Sequence, residues 1–257
     1  MVKESGRCGN PLDGDTRLGK DQWVSSAPSS EFGAYIHPDE ARMAAWRRVY
    51  ERYLVVEDIY PELARRVAAH GARSFVEAGG GRGPMARLLQ PEGVLTAVVD
   101  LDDQMLAQTY PPAIQADLGY LPISDRSVDA VAAINCLYFL GDPVTGVREA
   151  ARVLRSGGLF LASAPSRWND PELEGIDPRW GQPSPFDSED APAIVGSVFG
   201  DVEVDTWEAV AYRLPDRQAV GDYLHGINVP EWETKVDFLP VPLEITKRGA
   251  NVWAYSR

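Results

Sequence analysis

The sequence is poor in cysteine and histidine. Cys8 and Cys136 are the two cysteines among 257 residues, which is too few for a disulfide framework or a cysteine-rich metal site. The three histidines, His37, His70 and His225, are far apart and lack the spacing of metal ligands. The sequence therefore predicts no metal centre, and its cysteine usage fits a reducing cytoplasm.

Long apolar runs and positive charge are also scarce. No stretch approaches the ~18 apolar residues of a membrane-spanning helix, and the first 30 residues lack the apolar core of a signal peptide. Lysine and arginine number 25 against 38 acidic residues, so the formal net charge is −13. That charge opposes broad contact with a nucleic-acid backbone. We expect a soluble protein that acts on neither DNA nor RNA.

The chain divides by composition into three parts. Residues 1–30 mix Gly, Pro, Ser and charges without periodicity, which predicts a flexible tail. Residues 31–71 contain two helical apolar stripes and are predicted to form an N-terminal helical cap. Residues 72–257 form the predicted main domain, in which the irregular stretch 165–186 is too long for a simple connection. We predict that this stretch is a lid.

The sequence FVEAGGGRGPMARLL, residues 75–89, is the most informative stretch of the chain. It predicts a buried strand, a glycine loop and a helix that begins at Pro84, an arrangement in which a ligand can lie against bare backbone. Gly79, Gly81 and Gly83 fall at i, i+2 and i+4, whereas a dinucleotide fingerprint has its third glycine at i+5. The loop also lacks the Lys-Ser/Thr pair of a P-loop. Both of those nucleotide sites are disfavoured.

Strands alternate with helices through the rest of the chain, which predicts a parallel sheet with helices on both faces. In such a sheet, ligands bind beyond the carboxyl ends of the strands. The pattern leaves the pairing of the last two strands open. Strands are predicted at residues 75–78, 94–100, 113–116, 128–135, 159–162, 202–212 and 250–255. Helices are predicted at about 39–53, 56–70, 84–89, 102–106, 143–154, 187–199 and 217–224.

Four more stretches, in order, carry a resemblance to a known family: VVDLDDQML (98–106), IQADLGYLPISDRSVDAVAAINCLYFL (114–140), REAARVLRSGGLFLASAP (148–165) and LEITKRGANVWAYSR (243–257). Together with Glu-x-Gly-x-Gly-x-Gly, the sequence resembles the UbiE/type 11 group of class I S-adenosylmethionine-dependent methyltransferases. The resemblance implies a Rossmann-like, mostly parallel α/β sheet of seven strands whose last strand is antiparallel. It also implies S-adenosylmethionine as the cofactor.

The resemblance further implies roles for individual residues. The glycines would line the methionine and ribose part of the cofactor, with Glu77 near its amino group. Asp100 would accept both ribose hydroxyls, because an ionised carboxylate has two acceptor oxygens. The full set of cofactor-binding residues is Glu77, Gly79, Gly81, Gly83, Asp100, Leu101, Asp117, Leu118 and Asn135.

Each of these acids also has an ordinary structural interpretation. Asp102 and Asp103 adjoin Asp100 and can cap the next helix, and Asp117 at a strand end can be a turn residue. Cys136 is interpreted as a core residue. Asn135 would sit near the methionine end of the cofactor.

The sequence assigns no catalytic base. The histidine that this family often has after the fourth strand is replaced by Tyr138 and Phe139, so only Tyr138 and His225 remain as candidates. Methyl transfer from a sulfonium is a displacement in which positioning supplies much of the rate, so a base is optional.

The acceptor is expected to be a small, partly apolar or aromatic molecule, such as a natural-product or lipid-like metabolite. Aromatic walls suit such a molecule, and an arginine could pair with an acidic group on it. The alternative is that the tyrosines belong to the core and the tryptophans fasten a long loop. The predicted substrate-lid residues are Tyr50, Tyr53, Arg167, Trp168, Arg179, Trp180 and Phe186.

Two other functions remain open. A protein of this fold can bind the cofactor without catalysis and act as a regulator or scaffold. An NAD-dependent oxidoreductase would need a nicotinamide site, which the third glycine at i+4 opposes.

Overall fold

The computed structural model describes residues 39–109 and 112–257. The predicted tail, residues 31–38, Cys8 and His37 lie outside the described residues. Within them, seven strands form one sheet in the order β3-β2-β1-β4-β5-β7-β6. The strands are β1 (Ser74–Ala78), β2 (Leu95–Asp100), β3 (Ala113–Gln115), β4 (Val128–Ile134), β5 (Leu154–Pro165), β6 (Val202–Leu214) and β7 (Leu243–Tyr255).

The strands β1 to β5 are parallel, and β7 is antiparallel to both of its neighbours, β5 and β6. The predicted fold class is therefore confirmed. The pairing that the sequence pattern left open is a long antiparallel ladder from Val202↔Ala254 to Leu214↔Leu243. Because parallel strands end at one edge of a sheet, the segments that follow β1, β2, β3 and β4 lie side by side.

The helices lie on both faces of the sheet and beyond its carboxyl edge. Each long helix presents apolar residues at helical spacing, such as Leu63, Ala64 and Val67 in the second one. The helices are α1 (Glu40–Tyr53), α2 (Tyr60–Ala69), α3 (Pro84–Leu89), α4 (Asp103–Leu106), α5 (Pro143–Val153), α6 (Ala191–Phe199), α7 (Arg217–Gly226) and α8 (Trp232–Lys235). None of the helices in the described ranges is long and apolar enough to cross a membrane.

The sheet separates two hydrophobic clusters. On one face, α2 and α3 pack with Phe75, Met85 and Trp253. On the other face, α5 and α6 pack with Phe160 and neighbouring strand residues. Alternate residues of the central strands enter opposite clusters, as the two-residue period of a strand requires.

A third cluster forms a cap beyond the carboxyl edge, and its composition differs from the predicted one. It contains α1, α7 and the ends of β6 and β7, with Val49, Val220 and Ile245 in its core. The other predicted cap helix, α2, packs on the sheet instead, because its apolar stripe meets Leu89 and Phe75. The cap is thus assembled from both ends of the chain.

Two boundaries also differ from the predicted ones. The strand predicted at 159–162 is longer in the structure, where β5 begins at Leu154, includes Gly157 and Gly158, and has a register irregularity against β4. The helix expected to start at Asp187 starts at Ala191. Asp187 instead accepts hydrogen bonds from the amides of Ser184 and Asp190, which shapes the preceding turn.

Candidate functional site

The glycine loop adopts left-handed backbone at each of its three predicted positions. The φ angles are 64° at Gly79, 53° at Gly81 and 69° at Gly83, a region that glycine adopts without steric cost. A Cβ at Gly79 would lie 2.6 Å from Cys136 Cβ, and a Cβ at Gly83 would lie 2.6 Å from Thr109 Oγ1. These two glycines therefore permit close packing of the chain itself.

Gly81 differs from the other two glycines because space is open beside it. The nearest atom to an added Cβ would be Asp100 Oδ2, at 4.0 Å. The Gly81 amide also donates a hydrogen bond to Asp100 Oδ2 at 2.8 Å. A ligand can therefore lie against bare backbone at Gly81 while it contacts the Asp100 carboxylate, which fits the predicted contact with a cofactor ribose.

The capping role that was an alternative for Asp100 belongs to its neighbour. Asp102 is the N-cap of α4, and its carboxylate accepts hydrogen bonds from the amides of Gln104 and Met105. Asp100 instead accepts from the amides of Gly81 and Asp102. A carboxylate has about four lone-pair positions, so these two bonds leave Asp100 able to accept more.

Glu77 does not have the surroundings that the resemblance implied. Its carboxylate is buried, with 2% exposure, and accepts from the amides of Met85 and Ala86 at 3.1 and 2.8 Å. It therefore caps the N-terminus of α3 in the interior of the protein. Burial raises the pKa of Glu77 to about 7, although the two amide bonds oppose the shift.

The remaining predicted residues lie on neighbouring loops of the same edge. Leu101 follows β2 and is 43% exposed, as a side chain that contacts a flat ligand would be. Asp117 Oδ1 accepts from the Gly119 amide at 2.7 Å, so it also shapes a turn. Leu118 lies beside Gly79. Asn135 directly follows β4 and has a φ of 52°. The fold thus brings the predicted set to one edge of the sheet.

Comparison with known proteins agrees with this geometry. A family model described as "Methyltransferase domain" matches residues 76–162, the span from β1 to β5 that contains the glycine loop. Residues 76–162 are thus similar to a methyltransferase domain. The predicted family resemblance is therefore confirmed.

The curated relatives match the methyltransferase domain over part of their length. A probable S-adenosylmethionine-dependent methyltransferase of Mycobacterium tuberculosis is 39% identical over 114 residues, which are 42% of this chain and 40% of that protein. An uncharacterized methyltransferase of Arabidopsis thaliana is 32% identical over 106 residues, 35% of this chain and 30% of that protein. The matches thus span less than half the length of these relatives.

Solved structures share the fold of the methyltransferase domain at low identity. The YcgJ protein of Bacillus subtilis is 17% identical, with a TM-score of 0.57 over 77% of this chain and 98% of that one. The [4+2]-cyclase SpnF is 16% identical, with a TM-score of 0.52 over 76% of this chain and 81% of that one. These likenesses concern the fold alone.

The two candidate bases of the methyltransferase domain lie on different parts of the molecule. Tyr138 is in the short 3₁₀ turn that follows β4, and its ring packs edge-on against Phe139 with centroids 4.5 Å apart. His225 is at the C-terminal end of α7 in the cap, where its ring stacks on Trp232 at 5.0 Å. Only Tyr138 adjoins Asn135 in the chain. The role of either residue stays a prediction.

Both arginines predicted to face the acceptor have partners in this chain. The Arg167 guanidinium pairs with Asp187, at 2.8 Å, and with Asp190. Arg179 pairs with Asp177 at 2.7 Å. Carboxylates of the chain therefore already offset the positive charge that these arginines would offer to an acidic acceptor.

The aromatic side chains of the stretch 165–186 have structural contacts of their own. Trp168 and Trp180 pack edge-to-face at 4.9 Å, and the Trp168 ring covers Gly181. Phe186 is fully buried in the cluster that α5 and α6 share. The prediction that Phe186 faces a substrate is therefore wrong for this structure, because the core already surrounds the ring.

The start of the same stretch is fastened to β7. Asp170 forms an ion pair with Lys247 at 2.7 Å and accepts from the Tyr223 hydroxyl at 2.9 Å. Glu172 accepts from both the amide and the hydroxyl of Thr246. These contacts hold the stretch as a fixed wall beside the cap where it leaves β5.

The two predicted tyrosines of α1 have different surroundings. Tyr53 packs against the cap core, whereas Tyr50 is 43% exposed. Sequence reasoning did not single out Tyr212 of β6, which belongs to the same cap core and whose ring centroid lies 5.8 Å from that of Trp46 in α1. No local pattern in the sequence predicts this contact.

Proposed function

We propose that the protein is an S-adenosylmethionine-dependent methyltransferase that acts on a small-molecule acceptor, either aromatic or of a natural-product or lipid-like class. The observation that carries the proposal is the open backbone at Gly81 beside the Asp100 carboxylate. The ribose of this cofactor needs free space beside the backbone, which the left-handed Gly81 leaves open. It also needs a carboxylate that can accept hydrogen bonds from its two hydroxyls. The matched family supports the same assignment.

The residues that would hold the cofactor lie around Gly81. Asp100 would accept the ribose hydroxyls, and exposed Leu101 would pack on the adenine. Asp117 and Leu118 would meet the adenine edge, and Asn135 would sit near the methionine end. Glu77 acts indirectly, because it fixes α3 and hence the end of the glycine loop. When bound, the cofactor supplies an electrophilic methyl group on a sulfonium.

In the proposed reaction, the chain positions the acceptor and encloses it. An acceptor held in line with the methyl group reacts without further activation if it is already a neutral amine or a phenolate. We propose that the acceptor lies between the glycine loop and the cap, with α1 on one side and the stretch 165–186 on the other. The fastening of Asp170 to Lys247 supports a wall at that place.

A buried free thiol at Cys136 fits a reducing compartment, and we propose a cytoplasmic location. The excess of acidic residues supports a small molecule over nucleic acid as the acceptor.

The alternative is a protein of this fold that binds the cofactor without methyl transfer. The cyclase SpnF, with a TM-score of 0.52, demonstrates that this architecture is not restricted to methyltransferases. Calorimetric titration with S-adenosylhomocysteine tests binding, and formation of S-adenosylhomocysteine from S-adenosylmethionine with a panel of phenols and amines tests transfer. Absence of binding would overturn the cofactor site. Binding without transfer to any acceptor would favour the alternative.

The proposed wall has its own test. Residues 174–181 are replaced with a glycine linker, which removes Arg179 and Trp180 but keeps the fastening at Asp170 and Glu172. We expect the variant to keep its affinity for S-adenosylhomocysteine and to lose turnover. Unchanged turnover on an acceptor that the parent methylates would remove this segment from the site.

A further inference from the structure

At the carboxyl edge of the sheet, the strand pair β5–β7 is polar on one face. Ser163 of β5 pairs with Asn251 of β7 in the antiparallel ladder, so the two side chains share a face. Each lies two residues from a member of the cluster under α2 and α3, Leu161 in β5 and Trp253 in β7. On the opposite face, the same strand ends carry small or apolar residues: Ala162, Ala164 and Val252. Ser163 and Asn251 therefore lie on the α2 face.

Two buried atoms of this pair have no hydrogen-bond partner among the described residues. They are Ser163 Oγ, in a residue that is 1% exposed, and Asn251 Oδ1. A buried polar group without a partner is costly, and native proteins keep few of them. Two such atoms on paired residues indicate that their partner is a group from outside the chain.

The pair lies close to the place where methyl transfer would occur. The amide of Asn135, which is proposed to sit near the methionine end of the cofactor, donates to the Ser163 carbonyl oxygen at 2.9 Å. Neighbouring strands are about 4.8 Å apart, so Ser163 and Asn251 lie within about 5–10 Å of the end of β4. An acceptor that reaches the transferred methyl group can also reach this pair.

The charged residues next to the pair have partners in the chain. Asp205, which is opposite Asn251 in the β6–β7 ladder, forms an ion pair with Arg66 at 2.9 Å. Lys247, four positions before Asn251 in β7, forms an ion pair with Asp170 at 2.7 Å. These charges are already offset, and the groups left open between them are uncharged.

The ring of Trp207 covers the same face. A Cβ at Gly249 would lie 2.4 Å from Cζ2 of this ring, so the indole lies over the backbone two positions from Asn251. Trp207 belongs to the edge strand β6 and is partly exposed. Its Nε1 is buried without a partner in the described part of the chain. Since no hydrogen bond fixes the indole N–H, an outward turn of the ring would hydrate it.

We propose that Ser163 and Asn251 form a polar subsite for the acceptor, which the Trp207 ring covers until the acceptor enters, and that this subsite takes an uncharged hydroxyl or carboxamide group. We call the two residues the polar pair. The proposal rests on the proposed methyltransferase function and specifies its acceptor class. Asn251 Oδ1 accepts a hydrogen bond, and the Ser163 hydroxyl can donate one. A hydroxyl or a carboxamide supplies both a donor and an acceptor.

Charged groups match the polar pair less well. A carboxylate has no hydrogen to donate to Asn251 Oδ1, and it would lose its hydration without meeting an unpaired cation. An ammonium group can donate to both residues, but it too would be buried without a counter-ion, because Asp205 and Asp170 already have partners. The polar pair therefore favours uncharged acceptors over both kinds of ion.

Four probes with the same ring test this selectivity: benzamide, benzyl alcohol, benzoate and benzylamine, the last two of which are charged at neutral pH. They are titrated into the parent protein saturated with S-adenosylhomocysteine, and dissociation constants are measured by ligand-observed NMR. We expect benzamide and benzyl alcohol to bind. Benzoate and benzylamine should bind at least about tenfold more weakly, because each buries a charge without a partner.

Apolar variants of similar shape separate recognition from a structural role. Ser163→Ala and Asn251→Leu should each weaken benzamide binding about fivefold, the effect of one hydrogen bond, with unchanged affinity for S-adenosylhomocysteine. Because the two atoms have no partner among the described residues, neither substitution should lower the free energy of unfolding in urea. A loss of stability with unchanged benzamide affinity would assign the polar pair a structural role.

Two more variants test the cover and the location. Trp207→Ala should bind benzamide more tightly than the parent, since the ring no longer has to move. Weaker binding would mean that the ring is not a cover. Ser197→Ala is the matched control, because Ser197 lies on α6, on the other face of the sheet, and its hydroxyl donates to the Ile194 carbonyl oxygen. It should bind benzamide as the parent does.

The outcomes separate the two proposals. If the parent does not bind S-adenosylhomocysteine, the proposed function fails and this inference fails with it. The polar pair alone is overturned if the parent binds S-adenosylhomocysteine but neither uncharged probe, or binds a charged probe as tightly as benzamide. It is also overturned if Ser197→Ala weakens benzamide binding as much as Ser163→Ala does.

Discussion

The amide of Gly81 donates a hydrogen bond to Asp100 Oδ2 at 2.8 Å across 19 positions of sequence. This bond joins the glycine loop after β1 to the acidic residue at the end of β2. The two groups predicted to hold the cofactor are thus already in contact with each other. Their geometry is set before a ligand binds, which lowers the cost of ordering them.

Substitution of Gly81 with valine tests the open space beside the loop. The Gly81→Val side chain would fill the space that the cofactor is proposed to occupy. We expect affinity for S-adenosylmethionine to fall by at least about tenfold, or ~1.4 kcal/mol. Calorimetric titration measures this. Undiminished affinity in a folded variant would show that the cofactor does not lie against this glycine.

Gly93→Val is the matched control for backbone strain. Gly93 also has a positive φ, of 83°, and an added Cβ would meet nothing within 4 Å. It lies just before β2, at the opposite edge from the loop. Both variants should lose about 1–3 kcal/mol of stability through strain, but only Gly81→Val should lose affinity.

Removal of the Asp100 carboxylate should separate ligand binding from helix capping. We expect Asp100→Ala to weaken cofactor binding by roughly 1.5–3 kcal/mol, the range for hydrogen bonds to a charged group. Asp102→Ala removes a helix cap and should lower stability by about 1 kcal/mol with unchanged affinity. Calorimetry and thermal unfolding of both variants check this. Equal affinities of Asp100→Ala and the parent would assign Asp100 a purely structural role.

Glu77 should make the stability of the protein depend on pH. Its pKa in the folded protein is raised to about 7, chiefly by burial. Its contribution to stability is therefore complete below its unfolded pKa and is lost as the pH rises through about 7. We expect the free energy of unfolding to fall by on the order of 1–3 kcal/mol between about pH 5 and pH 8.

Glu77→Gln is the control for this titration, because it cannot ionise. The variant loses part of the cap on α3 at every pH, but the difference in unfolding free energy between the two proteins should change across this range. Titrating groups that the two proteins share cancel in the difference. Urea denaturation at each pH measures the unfolding free energies of the two proteins. A difference between them that stays constant across this range would contradict the raised pKa.

Asp170 should be important for the stability of the cap. Asp170→Ala leaves the Lys247 ammonium and the Tyr223 hydroxyl without their partner, and we expect a loss of about 3 kcal/mol. Glu62→Ala breaks the exposed pair with Arg65 and should change stability by less than about 1 kcal/mol. Urea denaturation compares the variants. A similar small effect for both would mean that the wall is not held by Asp170.

The local elements were predictable because they depend on short-range patterns. The strand before Gly79 and the helix after Gly83 follow from apolar spacing and from the conformational needs of the glycines. The family resemblance then implied a seven-stranded, mostly parallel sheet whose last strand is antiparallel. The structure agrees on all these points.

The roles of several side chains were not predictable in this way. The position of Glu77 two residues before the loop is compatible with a ligand contact or with a buried cap, and only the path of α3 decides between them. In the sequence, Phe186 and Arg167 lie in the irregular stretch that is predicted to be a lid. Their actual surroundings are the core and a pair of aspartates from the same turn.

By itself, the sequence determined the order of strands and helices, the glycine loop and the acidic residue at the end of β2, because each is encoded within a few consecutive residues. The tertiary structure decided which helix joins the cap and which cations are neutralised. Those outcomes depend on contacts between distant segments, such as Leu54 with Tyr212. Packing of complementary apolar surfaces sets such contacts, and local periodicity does not specify which surfaces will meet.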